Sequence, residues 1–332
     1  VSKRVAILTS GGDAPGMNAC IRAVAIACKG AGHELVGYKH GYNGLLEQEF
    51  ISLSLDSTHN LIQQGGTVLH SARCKAFASI EGANCAATNL RKARIDTLIV
   101  IGGDGSFRGA SHLSQFWDGQ IIGIPGTIDN DIYGTDATIG YYTAIDTAMS
   151  SIDKVRDTAD AFERIFLVEV MGRHAGFLAL NAALSSASDY VIVPEFFVSE
   201  KHDIELIIKQ IKAQRAFKGT VSFIIVVAEN VWPNGLAGLT EALNQHGIDD
   251  VRPVTLGHVQ RGGSPVSQDR LLATTLGEYA VGLVGSTHTN IMVGEVNQRP
   301  VMVPLEETWS KTKALNEARV STMKTLMNER YS

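Results

Sequence analysis

Thr127, Asp129 and Asp131 occupy alternate positions in GIPGTIDND (Gly123–Asp131), a stretch of small residues that follows an apolar run. In an extended segment side chains two residues apart share a side, so the three are expected to face one way together. Two acids held so close repel each other, and a cation or a substrate hydroxyl relieves the repulsion. Two glycine loops occupy comparable positions. TSGGDAPGMN (Thr9–Asn18) leads into a helix, where missing β-carbons and the helix dipole favour an anion such as phosphate. It is not the ATPase P-loop, because Met17 and Asn18 follow Gly16 where Lys and Ser or Thr are needed. IGGDGSFRGA (Ile101–Ala110) places Asp104 among glycines. An acid beside a phosphate cradle makes electrostatic sense with a cation between them, and Mg²⁺, which takes one or two carboxylates plus phosphate oxygens and water, is the natural candidate. The spacing of Gly103, Gly105 and Gly109 departs from the dinucleotide fingerprint G-x-G-x-x-G.

Basic residues follow further on. Arg173 lies in EVMGRHAG, Glu229 closes FIIVVAE, and Arg252, His258 and Arg261 lie in DVRPVTLGHVQRGGSPVSQDR. All four basic groups read as loop residues after apolar runs. One arginine alone reads equally well as a surface ion pair of little worth. Four together, in a chain of net charge -5, point to a local basic pocket for a phosphorylated ligand.

The elements that must position these residues are legible as alternating apolar runs and helical segments. Arg4–Ser10, Glu34–Tyr38, Thr97–Gly103 and Gln120–Ile124 are continuous apolar runs, as expected of strands covered on both faces. The second half repeats the pattern with Arg164–Val170, Asp189–Val193 and Val221–Glu229, separated by helical segments Phe177–Ala187 and Asp203–Phe217. Parallel sheets put ligand loops beyond the carboxyl ends of their strands, so the glycine loops and the acidic stretch are expected on one edge. At 332 residues the chain exceeds what one core usually serves, so two domains are expected, with a crossover near Ile139–Ala144. The acidic balance argues against nucleic acid or an anionic membrane as partner and favours a small molecule. No stretch offers the apolar length of a membrane span, the opening run is too short for a signal peptide, and a cytoplasmic location is expected. Cys20, Cys28, Cys74 and Cys85 show no metal-ligand spacing and are expected to be reduced.

Six motifs, LTSGGDAPGMNA, GGTVLHSAR, IGGDGS, PGTIDND, EVMGRHAG and LGHVQRGGSP, resemble the 6-phosphofructokinase family in order and across nearly the whole chain. The resemblance is to compact bacterial-type subunits. It implies an α/β fold of two Rossmann-like domains, each a mostly parallel sheet flanked by helices. Residues 1–140 plus about 255–304 would bind nucleotide, and about 141–254 plus 305–332 the sugar phosphate and effectors. The implied reaction is phosphorylation of fructose 6-phosphate at its 1-hydroxyl by ATP with Mg²⁺, in a homotetramer. Asp129 resembles the catalytic base, beside Thr127, with Gly12, Arg73 and Arg173 also in catalytic roles. Gly12, Tyr42, Arg73, Cys74, Gly103, Asp104, Gly105, Ser106 and Gly109 would meet the nucleotide, and Asp104 the Mg²⁺. Thr127, Asp129, Asp131, Met171, Gly172, Arg173, Glu229, His258 and Arg261 would meet the sugar phosphate, with Arg164 and Arg252 reaching in from an adjacent subunit.

Two glycines bear on the phosphoryl donor. Pyrophosphate-using relatives tend to carry an acid where Gly105 stands and a lysine where Gly126 stands, so ATP is expected here. The effector pattern of bacterial members is matched by Arg22, Arg156 and Lys218, with Asp189 in place of a glutamate. Ile26 and Leu55 stand where arginines are usual, so weak regulation by ADP and phosphoenolpyruvate is expected. A nicotinamide-dependent dehydrogenase would need a proper glycine fingerprint with an acid about 20 residues on, a sugar-binding protein would not need Asp104 and Asp129, and the intact Asp104, Asp129 and Arg173 argue against a catalytically silent regulatory subunit.

Overall fold

The apolar runs form the centre of a seven-stranded sheet in the computed structural model, which describes residues 1–329. Its strands are β1 (Arg4–Thr9), β2 (Glu34–Tyr38), β3 (Phe50–Ser52), β4 (Thr97–Gly102), β5 (Gln120–Pro125), and, later in the chain, β10 (Ile291–Val296) and β11 (Arg299–Pro304). Between these, β6 (Ile165–Val170), β7 (Tyr190–Ile192), β8 (Phe223–Ala228) and β9 (Val251–Thr255) form a second sheet. The first sheet has the order β11-β10-β5-β4-β1-β2-β3, the second β7-β8-β6-β9. Pairing is parallel throughout except at β2 with β3 and β10 with β11. Strands β1, β4 and β5 are buried nearly throughout, as continuous apolar runs require when helices cover both faces. The α/β architecture expected from the alternation is therefore present, with a mostly parallel sheet in each half.

Packing divides the chain into two units. One comprises Val1–Ile128, Ile132–Thr143 and Arg261–Lys313; the other comprises Asp129–Asp131, Ala144–Gln260 and residues 314–329. Asp129–Asp131 and residues 141–143, 255–260 and 305–313 fall in the other unit from the one the sequence reading gives them, and residues 330–332 lie outside the described residues. Among the described residues no helix is long and apolar enough to cross a membrane.

Four strands have no counterpart in the sequence reading, for identifiable reasons. β3 is three exposed residues on an edge. β10 and β11 form a hairpin in which Val296 pairs with Arg299, leaving a two-residue turn of Asn297 and Gln298, both with positive φ. That is the geometry of a type I′ turn without its usual glycine. β9 contains Pro253, which an edge strand tolerates. Arg252 is accordingly a strand residue and not a loop residue.

Candidate active site

In the first unit β5, β4 and β1 are adjacent and parallel, so the loops that follow them share one edge. The ladder continues one residue beyond the strands: Ser10 N–H donates to Ile101 O at 2.9 Å and Gly126 N–H to Gly102 O at 3.0 Å. The helix Met17–Ala31 starts after the first glycine loop, with Gly16 at φ 108°. The helix Asp104–Leu113 starts at Asp104 itself, which puts that carboxylate in the first turn, where the helix dipole favours it.

Crowding at the glycines shows what each one makes room for. A β-carbon on Gly12 would lie 2.6 Å from Nη1 of Arg261, whose guanidinium also reaches the Asp13 carbonyl at 3.3 Å. Arg261 thus lies on the first glycine loop. A β-carbon on Gly105 would meet no atom within 4 Å, so the space beside Asp104 is open. One on Gly126 would instead lie 2.8 Å from Ile101 and 3.2 Å from Met17, inside the core. Gly103 faces Thr127, and Gly109 lies under the ring of Tyr42, a β-carbon there being 3.0 Å from it. Tyr42 is buried, stacked on Phe77 at 4.0 Å between centroids, with its hydroxyl donating to Ser106 O at 2.5 Å. Burial raises its phenol above the ordinary range, so it stays protonated as a donor. Arg73 is exposed, and Cys74 is half-buried against the core.

Asp104 forms an ion pair with Arg108 at 3.8 Å, and its side chain is 25% exposed. Among the described residues no group of three or more His, Cys, Asp or Glu is placed to hold a metal ion. A single part-open carboxylate beside open space fits Mg²⁺ of the kind held mostly by phosphate oxygens and water. It does not fit a cation caged by protein alone.

The acidic stretch is less regular than expected. The chain leaves β5 at Pro125, and Asn130 adopts φ +55°, so the extended alternation that would align Thr127, Asp129 and Asp131 does not run through it. Thr127 and Asp129 are each 8% exposed, and the Thr127 carbonyl accepts from the Thr138 hydroxyl at 2.5 Å. Burial of a carboxylate needs compensation.

In the second unit the loops after β6 and β8 are joined by Glu229. Its Oε1 accepts from Gly172 N at 3.0 Å and Arg173 N at 2.5 Å, and the Asn230 side chain donates to Arg173 O at 3.0 Å. Arg173 is held at φ +61°, a conformation that costs a non-glycine residue energy. Gln260, fully buried, accepts from Met171 N at 3.3 Å and donates to Gly257 O at 3.0 Å, tying the loop after β6 to the turn that carries His258. Gln260 escaped the sequence reading although it stands in LGHVQRGGSP; its signal was a polar residue between His258 and Arg261. Burial raises the Glu169 carboxyl above its ordinary range, with the Thr255 hydroxyl opposing and the Glu229 charge adding.

Arg164 and Arg252 lie elsewhere. Ile165 pairs with Val251 and Phe166 with Arg252, so Arg164 precedes β6 and Arg252 is the second residue of β9, both toward the amino edge of this sheet, whereas Met171, Gly172, Arg173 and Glu229 follow carboxyl ends. A six-residue strand separates the two edges, about 20 Å at ~3.3 Å per residue. One copy of the second unit therefore does not bring all its expected sugar-phosphate residues together.

The family model for phosphofructokinase matches residues 4–284. ATP-dependent 6-phosphofructokinase 1 of Thermus thermophilus is 45% identical over 316 residues, 95% of this chain and 97% of its own. ATP-dependent 6-phosphofructokinase 2 of Bacteroides thetaiotaomicron is 45% identical over 326 residues, 98% of each chain. A solved phosphofructokinase from Saccharomyces cerevisiae matches 99% of this chain at 33% identity and a TM-score of 0.84, and this chain spans 47% of its length.

Proposed function

The chain belongs to the phosphofructokinase family, and we infer that it transfers the terminal phosphoryl group of ATP to the 1-hydroxyl of fructose 6-phosphate, a kinase step of glycolysis. Phosphoryl transfer has a loose transition state in most analyses, so the protein's contribution is mainly alignment and charge neutralisation. The nucleotide phosphates are assigned to the loop of Gly11 and Gly12 and to Gly103, Gly105 and Ser106, at the start of a helix whose N-terminal dipole favours an anion. Tyr42 walls the helix Asp104–Leu113, and Arg73 and Cys74 complete the nucleotide contacts. Asp104 would hold Mg²⁺, which supplies neutralisation of the phosphate charge. Asp129 takes the proton of the sugar hydroxyl, with Thr127 and Asp131 beside it in the chain. A base of reference pKa about 3.9 suffices because the hydroxyl gives up its proton late.

Met171, Gly172, Arg173, Glu229, His258 and Arg261 are assigned to the sugar phosphate. Glu229 already spends one oxygen on two N–H groups, which fixes the Arg173 backbone. Arg164 and Arg252 serve a neighbouring copy, because the sheet separates them from the carboxyl-edge residues. The active enzyme is then a homo-oligomer, a tetramer in this reading, located in the cytoplasm.

The open space at Gly105 is the observation that carries the choice of donor. A carboxylate there would crowd and repel the α-phosphate of ATP. A coupled assay for fructose 1,6-bisphosphate with ATP and Mg²⁺, repeated with pyrophosphate, tests the reading. Turnover is expected with ATP and not with pyrophosphate; comparable turnover with both, or none with ATP, overturns it.

A further inference from the structure

Asp250 has no role in the reaction as assigned so far, yet it organises the amino edge of the second sheet. It stands directly before β9, opposite Arg164 directly before β6, because Ile165 and Val251 are in register. Its Oδ2 accepts from Arg164 Nε at 2.9 Å, and its Oδ1 forms an ion pair with Arg252 Nη2. The Arg164 guanidinium also lies over the Phe162 ring, 4.5 Å from its centroid. Asp250 makes both contacts from φ +61°, a region that aspartate tolerates better than most residues. Arg164 spends one of its five N–H donors on this carboxylate and Arg252 pairs with it by charge, so each arginine keeps at least four donors, enough for bidentate contact with a phosphate. The three side chains together carry a net charge of +1.

The geometry points to Asp250 as a positioning residue: it binds the two guanidinium groups into one pre-formed cluster that presents a sugar phosphate with an already ordered anion site. This rests on the assignment of Arg164 and Arg252 to the sugar phosphate. Arginine is a long side chain, and each one ordered only on binding weakens affinity. A carboxylate that orders both beforehand removes that loss and leaves the phosphoryl-transfer step untouched. Its signature is therefore a change in KM without a change in kcat.

The test is a double-mutant cycle on the assembled enzyme. Asp250→Gly keeps the backbone conformation while removing the carboxylate, and Asp250→Glu restores a carboxylate. With Asp250→Gly the KM for fructose 6-phosphate should rise about 5- to 20-fold at unchanged kcat, on the scale of two side chains losing their prior order. Asp250→Glu should recover most of it. Combined with Arg252→Ala, Asp250→Gly should cost only the part it exerts through Arg164, so the double variant should fall clearly short of the product of the two single effects. An unchanged or lowered KM in Asp250→Gly, or strictly multiplicative effects in the double variant, overturns the proposal. If Arg252→Ala itself leaves KM unchanged, the assignment of Arg252 to the sugar phosphate fails as well; if it raises KM and Asp250→Gly does not, the positioning role alone fails. Sedimentation of each variant separates loss of assembly from loss of binding.

Discussion

At the carboxyl ends of β1 and β4 the first unit clears space, whereas the second unit fills the ends of its strands with charge and then restrains it. Gly12 gives way to the Arg261 guanidinium, and Gly105 opens onto nothing within 4 Å. In the second unit Glu229 fixes the backbone of Gly172 and Arg173, and Asp250 fixes Arg164 and Arg252. The difference fits the ligand proposed for each unit. Nucleotide phosphates are met well by backbone N–H groups, which need only that side chains stay away. A sugar phosphate with several hydroxyls requires side chains of defined shape, and those need partners to hold them.

The sharpest way to break this contrast is at Asp129, which packing assigns to the second unit although its loop leaves a strand of the first. If filled positions do the chemistry and cleared ones only admit the donor, Asp129→Ser should lower kcat about 10²- to 10⁴-fold, the usual worth of general-base assistance. Affinity for fructose 6-phosphate should survive. Steady-state kinetics decide, and near-normal turnover would refute the role.

How much of this was legible beforehand depended on the kind of signal. Strands buried on both faces announce themselves as apolar runs, and the bounds those runs predict for β1, β2, β4 and β5 lie within one residue of the observed ones. Edge strands lack that signal: β9 carries a proline and an exposed arginine, and the turn after β10 uses Asn297 and Gln298 without a glycine. The glycine loops were legible because missing side chains are visible in a sequence. The residues that hold others in place were not. Asp250, Gln260 and Asp269 act through backbone groups or side chains far along the chain, and only the fold makes those pairings.

Asp269 is the counterexample within the first unit, a filled position where the contrast calls for cleared ones. Fully buried, it accepts from Gly140 N at 2.9 Å, Thr143 N at 2.7 Å and the Thr143 hydroxyl at 2.6 Å. These donors stand at the start of the helix Tyr141–Phe162. Asp269→Ala leaves them buried without their acceptor and should cost about 2–4 kcal/mol of stability, on the scale of ~1–3 kcal/mol per unsatisfied buried group. Urea unfolding measures it; a loss under 1 kcal/mol, against ~1–3 per group, would show that the site relaxes. Burial raises the Asp269 carboxyl above its ordinary 3.8, against the opposing hydrogen bonds. The native state therefore holds its proton to higher pH than the unfolded chain, and the stability it contributes falls as pH rises above about 4. The gap between wild type and Asp269→Ala should narrow in that direction.

The two glycines proposed to bear on the phosphoryl donor separate clearance for packing from clearance for a ligand. Gly126→Ala drives a β-carbon against Ile101 and Met17 and should destabilise by about 1–3 kcal/mol, as overpacking does. Gly105→Asp meets open space and should leave stability alone while lowering kcat/KM for ATP at least about tenfold, the worth of ~1.4 kcal/mol. Equal effects of the two on thermal stability would remove the distinction.

The smallest effect is expected where charge has been withdrawn without replacement. Ile26, in the helix Met17–Ala31, and Leu55, at the start of the short helix Leu55–Thr58, are each 44% exposed where the family pattern expects arginines. The remaining charges are partly engaged: Arg22 reaches His59 O at 3.4 Å, Arg156 donates to Ser186 O and Ala187 O at 2.8 and 3.0 Å, and Asp189, 3% exposed, accepts from Ile224 N at 2.8 Å. Two missing contacts to a charged group, at roughly 1.5–3 kcal/mol each, weaken an anionic effector by more than tenfold apiece. ADP and phosphoenolpyruvate should then shift half-saturation by fructose 6-phosphate less than about twofold, within the reach of the residual surface charges. Ile26→Arg with Leu55→Arg should restore a response, because the site lacks those charges and not its surroundings. A sigmoidal curve made hyperbolic by low micromolar ADP in the unmodified enzyme would show instead that an apolar surface can do what the arginines do, and that clearing charge does not silence an anion site.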